Sequence, residues 1–420
     1  MYKVTRLENG LTVATAEMPH MASVSLGIWV GVGGRYEAEP LSGASHFIEH
    51  LLFKGTQRRS AREISQAVEG IGGYLNAFTS EEHTCFYAKA RHDHFGRVLD
   101  VLADMFLHSA FDPEEMDKER EVIKEELAMY MDQPQQYVQE LLNSTMWPDQ
   151  PLGRSITGTR KTLDGLGREK LLEYQKQNYV APATLLAVGG QITHREAVAA
   201  LGKYARKFAR GARPCCTPAI STQIKPALCL MTKKTEQTQI ALGIRACSRH
   251  DERRYALRLL NAVLGENMSS RLFQSVREEH GLAYSIYSAN SFFDDAGDIV
   301  VAAGLDTDNL EKTLKLILRE IKRLTAQLVP AAELRRARDY LIGQLDLSLE
   351  NSESQMMWAG EQWLGYGKIA HPDEFKKRLS TVTAGQVRAA ARDFFRPGRM
   401  NLAIISPLKS AAGLEKLLAG

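Results

Sequence analysis

Two histidines and a glutamate stand close together in Ser45-His46-Phe47-Ile48-Glu49-His50-Leu51-Leu52-Phe53, with the spacing H-x-x-E-H. The surrounding apolar residues have helical spacing from Gly43 to Lys54. On a helix at 100° per residue, His46 and His50 lie about 40° apart and one turn apart, so both imidazoles reach one cation. Glu49 falls about 60° to the other side of His46, close enough to touch a metal-bound water without being a ligand. Two neutral imidazoles and one carboxylate are a usual catalytic Zn²⁺ set, leaving a fourth position for a water whose pKa falls to about 7. The spacing alone is equally compatible with helix histidines satisfied by ordinary hydrogen bonds. A metal site needs a third donor.

The richest source of further carboxylates is the acidic helical pattern at 113–131, whose plain account is a solvated charged face. Helical phase separates its members. Taking Glu119 as 0°, Val122 lies at about 300°, Ile123 at 40°, Glu126 at 340°, Leu127 at 80° and Tyr130 at 20°. Glu119 and Glu126 therefore sit within the apolar stripe, while Glu121, Lys124 and Glu125 fall near 200°, 140° and 240°, where solvent is expected. Carboxylates on a core face are costly unless paired or metal-bound, so both ask for a cation.

Rigid elements must position these side chains. Short β-rich runs, Leu11 to Thr15 and Ser23 to Val30, precede the H-x-x-E-H helix, with Asn9-Gly10 and Gly31-Val32-Gly33-Gly34 as turns. A helix at 61–71 ends at Gly72-Gly73, strands follow at 74–79 and 84–90, then helices at about 92–109 and 113–131 and a strand at 184–188. The basic, aperiodic stretch after Lys203 predicts a linker at about 205–225, separating domains at 1–204 and 226–420. The second half resembles the first. With Glu115 set on Glu333, Arg120 falls on Arg338 and Leu127 on Leu345, while Ala337 and Gln344 replace Glu119 and Glu126. The strands and helix at 74–109 have a counterpart at about 283–328. One half is equipped for metal chemistry, and the other is its copy without the ligands.

Composition excludes several classes. The chain has 420 residues, room for two to four domains, and its 53 basic and 50 acidic side chains leave a net charge of +3, too little to call for a nucleic-acid partner. No long uncharged apolar run is present, and Lys3, Arg6 and Glu8 interrupt the N-terminus, which predicts a soluble, cytoplasmic protein without a membrane partner. The cysteines Cys85, Cys215, Cys216, Cys229 and Cys247 are odd in number and lack CxxC spacing, against a disulfide framework. Gly31-Val32-Gly33-Gly34 lacks the context of a dinucleotide loop, and His92-Asp93-His94 reads as a turn opening a helix.

His46-Phe47-Ile48-Glu49-His50 with Glu126 downstream resembles the inverzincin signature of the pitrilysin family of zinc peptidases. The likeness continues in Gly33-Gly34-Arg35-Tyr36-Glu37, in Leu52-Phe53-Lys54-Gly55-Thr56, in Gly72-Gly73 with Asn76-Ala77, and in Glu119-Arg120 followed by Val122-Ile123. It is nearest to bacterial processing peptidases similar to the β-subunit of mitochondrial processing peptidase. In the second half, Met268-Ser269-Ser270-Arg271-Leu272-Phe273 and the later Arg277 and Tyr284 resemble the family's C-terminal segment, although Gly265-Glu266-Asn267 departs from its usual glycines.

The resemblance implies an α+β fold of two similar halves, each a mainly antiparallel sheet covered by helices. It implies one Zn²⁺ per chain on His46, His50 and Glu126, Glu49 as general base and Glu119 as a supporting carboxylate. Arg277 and Tyr284 would donate to the substrate carbonyl and oxyanion, and Asn76, Ala77 and Phe78 would contact a substrate peptide added to their strand as an extra edge. The implied activity is metalloendopeptidase cleavage of short peptides or unfolded polypeptide. Longer members enclose their substrate with four such units; two per chain imply a homodimer, with a heterodimer of related subunits as the alternative. Some relatives are non-catalytic peptide-binding or structural core subunits, and these typically lack ligands that this chain retains.

Overall fold

The computed structural model describes residues 2–419. The first half of the chain runs through β1 (Tyr2–Arg6), β2 (Thr12–Glu17), β3 (Ser23–Val30), α1 (Ala44–Leu52), α2 (Ala61–Glu69), β4 (Tyr74–Thr79), β5 (Thr84–Arg91), α3 (Phe95–His108) and α4 (Pro113–Met131). It continues through α5 (Pro134–Met146), α6 (Arg160–Gly165), α7 (Arg168–Asn178), β6 (Thr184–Gly190) and α8 (His194–Ala205). After residues 210–226, which form neither helix nor strand, come β7 (Ala227–Thr232), β8 (Thr238–Ala246), α9 (Arg254–Leu264), β9 (Ala283–Phe292) and β10 (Gly297–Leu305). The chain ends with α10 (Leu310–Ala326), α11 (Ala331–Ser348), α12 (Ser352–Tyr366), α13 (Pro372–Thr381), α14 (Ala384–Phe394), β11 (Met400–Ser406) and α15 (Leu414–Ala419).

The strands form two sheets, ordered β1-β2-β6-β3-β5-β4 and β7-β11-β8-β10-β9. Without β1, the first order maps strand for strand onto the second. Each sheet has one parallel pair at the corresponding place, β2 with β6 and β7 with β11, and is otherwise antiparallel. The fold is therefore α+β, built twice on one topology, and the edge strands β4 and β9 are counterparts.

Two compact units form, and neither is a contiguous half of the chain. One comprises residues up to Ala128 with Arg154–Thr217 and Asp346–His371; the other comprises Met129–Gly153, Pro218–Leu345 and the residues from Pro372 onward. The division at 1–204 and 226–420 thus differs from the compact units by an exchange of helices: α12 belongs to the first and α5 to the second. Periodicity marks a helix as having an apolar face, but it does not say which sheet that face will cover.

In the first unit, alternation along β3 sends Leu26, Ile28 and Val30 into a core shared with Phe47, Ile48 and Leu51 of α1 and Val98 and Leu102 of α3. Trp29, with Cys85, Leu185 and Ala187, faces the other way onto Met356 and Ala359 of α12. The fit on that side is close: a Cβ on Gly360 would meet the Trp29 ring at 2.2 Å. Ser25 and Ser352 hydroxyls bond at 2.9 Å, giving the interface a buried polar pin. The second unit repeats the plan, with Ile240, Leu242 and Ile244 of β8 in its main core and Ala241 facing Val138 and Leu142 of α5.

Candidate metal centre

Helix α1 is held by its apolar side. Phe47, Ile48, Leu51 and Leu52 are fully buried, which leaves His46, Glu49 and His50 together on the less buried side. Its first turn is also fixed by polar contacts. Gly43 and Ser45 N–H groups donate to the Glu37 carboxylate at 2.7 Å each, and the Ser45 and Tyr174 hydroxyls bond at 2.9 Å. Helix α4 supplies the acids: Glu119 is buried and Glu126 half-buried. Arg120 of α4 lies over the Phe47 ring of α1 at 5.2 Å and donates to the Leu166 carbonyl at 3.0 Å, so the two helices that carry the donors are tied directly. Val122 and Tyr130, expected in the apolar stripe, are exposed, and the buried face of α4 narrows to Met116, Glu119 and Ile123.

Glu126 Oε2 lies 3.9 Å from His46 Nε2 and 3.6 Å from His50 Nε2. Among the described residues, His46, His50 and Glu126 offer ligand atoms that all lie within 4.8 Å of one another. Tetrahedral ligands at about 2.0–2.2 Å from zinc are separated by about 3.4 Å, so small side-chain adjustments bring this set around one ion. The set fits zinc in chemistry as well as spacing. Burial, and then the neighbouring His50, hold His46 down at about 3, in the neutral form that ligates.

The orientation of His50 is fixed from behind. Its Nδ1 bonds Glu119 Oε2 at 3.0 Å, and Glu119 Oε1 is in turn paired with Lys54 Nζ at 2.6 Å. A carboxylate on Nδ1 favours the tautomer with the proton there and the Nε2 lone pair free for a metal. Glu49 is raised above the usual carboxylate range by burial, against a 2.6 Å hydrogen bond from the Thr79 hydroxyl. Thr79 ends β4, which places that edge strand beside the proposed base. Thr79, Lys54 and Glu37 carry no spacing signal of their own. Lys54 and Glu37 lay in segments that flank the motif, but their partners are set only by the tertiary fold.

Residues 12–160 match the family described as Insulinase (Peptidase family M16), and residues 165–341 match the one described as Peptidase M16 inactive domain. A Bacillus subtilis protein named uncharacterized zinc protease YmxG is 37% identical over 97% of this chain and 98% of its own length. The chain belongs to peptidase family M16. An uncharacterized zinc protease of Streptomyces coelicolor is 38% identical over 96% of this chain and 89% of its own. The M16 fold is matched by a solved protease from Helicobacter pylori with a TM-score of 0.90 at 19% identity, over 97% of this chain and 99% of that one. A Pseudomonas fluorescens structure described as a peptidase M16 inactive domain gives 0.89 at 17% identity, with the same coverage.

The M16 inactive-domain match covers Ala337 of α11, which stands in the register of Glu119; Gln344, in the register of Glu126, lies three residues beyond its end. Arg277 and Tyr284 belong to the second unit. Arg277 lies in a π-helical segment, Phe273–Glu278, with its guanidinium 5.3 Å from the centre of the Tyr284 ring. In the ladder of β9 with β10, Gly304 pairs with Ser285 and Leu305 with Ala283, so Tyr284 is the extra residue of a bulge and is 78% exposed. Asn76, Ala77 and Phe78 lie on the edge strand β4, where the Ala77 N–H donates to the Asn76 side chain at 2.8 Å rather than to a second strand. Among the described residues, no helix is long and apolar enough to cross a membrane.

Proposed function

We propose that this M16 chain is a zinc-dependent endopeptidase that hydrolyses short or unfolded peptides within a chamber formed by a homodimer. The convergence of His46, His50 and Glu126 within 4.8 Å, with Glu49 on the same helix face, carries this reading. The relatives' names as zinc proteases support it.

His46, His50 and Glu126 would hold the zinc, with Glu119 orienting His50. When bound, zinc supplies a Lewis acid that polarises the scissile carbonyl and lowers the pKa of water to about 7. The Glu49 carboxylate takes the proton of the attacking water and returns it to the leaving amine, with the Thr79 hydroxyl holding one oxygen in place. Tyr284 and Arg277 are the proposed donors to the substrate carbonyl as its oxygen becomes negative. The peptide would lie along β4 as an added strand, with Asn76, Ala77 and Phe78 against its backbone. Main-chain bonding makes sequence selectivity modest, and cytoplasmic peptides are the proposed substrates.

Quenched-fluorescent peptides and a stably folded protein, offered to enzyme treated with chelator and then restored with zinc, test this. The expected outcome is peptide cleavage that disappears with the metal and returns with it, while the folded protein stays intact. Cleavage that survives complete metal removal overturns the zinc mechanism, and rapid cutting of native surface loops overturns the chamber.

A further inference from the structure

We propose that Glu37 is a positioning residue for the metal centre: its carboxylate acts as the remote N-cap of α1 and sets the place of His46. The inference rests on the metal reading given above and assigns a role to a residue outside the donor set. The first turn of a helix leaves backbone N–H groups without partners, and an N-cap Ser, Thr, Asp or Asn ordinarily accepts one of them. Here the N-cap position is Gly43, with φ at +95°, and a Cβ there would meet the Thr157 carbonyl oxygen at 2.8 Å. The packing that seats the start of α1 thus requires glycine and removes the side chain that would have capped the helix.

Glu37 supplies what Gly43 lacks. Its two oxygens each accept one N–H, from Gly43 and from Ser45, and the residue is 3% exposed. Arg154 donates to the Glu37 carbonyl at 2.8 Å, fixing the backbone from which the carboxylate reaches. Ser45 immediately precedes His46, so the clamp acts within one residue of the first donor. Burial pushes the Glu37 carboxyl up to about 7, against the N–H groups of Ser45 and Gly43, which favour its ionised form. Loss of the clamp lets the first turn fray, displacing His46 relative to His50 and Glu126. Tyr174 holds the same turn through Ser45 Oγ but accepts neither free backbone N–H.

The test is the zinc dissociation constant of the full chain, measured by competition with a chromogenic chelator, together with circular dichroism and thermal unfolding. Wild type is compared with Glu37→Gln, Glu37→Asp and Glu63→Gln. Glu63 caps α2 by accepting from the Ser60 N–H at 2.8 Å, and that helix carries no donor. A glutamine keeps the shape of Glu37 but turns its NH₂ toward one of the two N–H groups. The expected result is a dissociation constant raised about tenfold in Glu37→Gln, as for other residues that orient metal ligands. Glu37→Asp should fall between it and wild type, and Glu63→Gln should match wild type. A folded Glu37→Gln with wild-type affinity overturns the positioning role, as does an equal loss in Glu63→Gln. If Glu37→Gln does not fold, Glu37→Asp decides in the same way. A wild type that binds no zinc overturns the metal reading and this inference with it, whereas tight wild-type binding with unchanged variants overturns this inference alone.

Discussion

His50 shows how a single side chain is specified from two directions. One ring nitrogen faces Glu126 and the proposed metal, and the other is held by Glu119, itself pinned by Lys54. Lys54 reaches no donor atom of the metal set, so its role is to keep the Glu119 carboxylate aimed. Lys54→Met should therefore weaken zinc binding by about tenfold and also lower the melting temperature, because the buried Glu119 carboxylate loses its charged partner. Equilibrium dialysis of zinc against both proteins checks this, and equal affinities would show that Glu119 holds His50 without help. The residues that converge here were legible in part, since helical phase left both Glu119 and Glu126 on the apolar side and the family resemblance chose between them. H-x-x-E-H places two imidazoles on one helix face, and helical phase alone separates Glu126 from the adjacent Glu125. Lys54, Thr79 and Glu37 were not legible in these roles, because each acts on a residue brought near only when α1, α4 and β4 pack together.

At the level of elements, ligand helices are useful only if the loops behind them are equally fixed. The segment after α1 is tied to α3 through Asp104, which accepts from Thr56 Oγ1 at 2.8 Å, Arg58 Nε at 2.8 Å and Arg59 Nη1 at 2.6 Å. Burial alone would raise this carboxyl, but those hydrogen bonds and charges outweigh it and hold it below its ordinary value. A depressed carboxylate stabilises the fold above its unfolded pKa of about 3.9, and that contribution is lost as pH falls through the lower folded value. Asp104→Asn should cost about 2 kcal/mol at pH 7 and should flatten the loss of stability below about pH 4. Urea unfolding at pH 7 and at successively lower pH measures both effects. Gly360→Val is a packing test, since its first side-chain carbon would overlap the Trp29 ring in the seat of α12. It should destabilise the protein by about 3 kcal/mol, read as a lower denaturation midpoint. An unchanged midpoint would mean that α12 does not bear on the first sheet as described. Strands β2 to β6 and helices α1 to α4 could be read from period and turn residues, including β3 at Ser23–Val30. The exchange of α5 and α12 could not, because an apolar helix face carries no address for its sheet.

On the scale of the whole molecule, the same five-strand order occurs twice, and among the described residues side chains spaced to hold a metal ion, His46, His50 and Glu126, come together in one copy alone. The duplication was visible as a register between α4 and α11, where Ala337 and Gln344 stand in place of Glu119 and Glu126. Assembly was not visible, since nothing in one chain's periodicity names its partner. If a homodimer shares its sites, with each subunit lending Arg277 and Tyr284 to the other's metal centre, two inactive variants should complement. Glu49→Gln and Tyr284→Phe, each about 100-fold or more impaired alone, should regain roughly a quarter of wild-type activity when subunits exchange at random. Failure to complement after demonstrated exchange would place both functions within one chain.

The most direct test of the zinc peptidase assignment is to measure metal content and peptide cleavage together in wild type and Glu49→Gln. The expected result is equal zinc in the two proteins and cleavage in wild type alone, since Glu49 is assigned to proton transfer and not to ligation. Undiminished cleavage by Glu49→Gln, or wild-type protein that takes up no zinc, would contradict it.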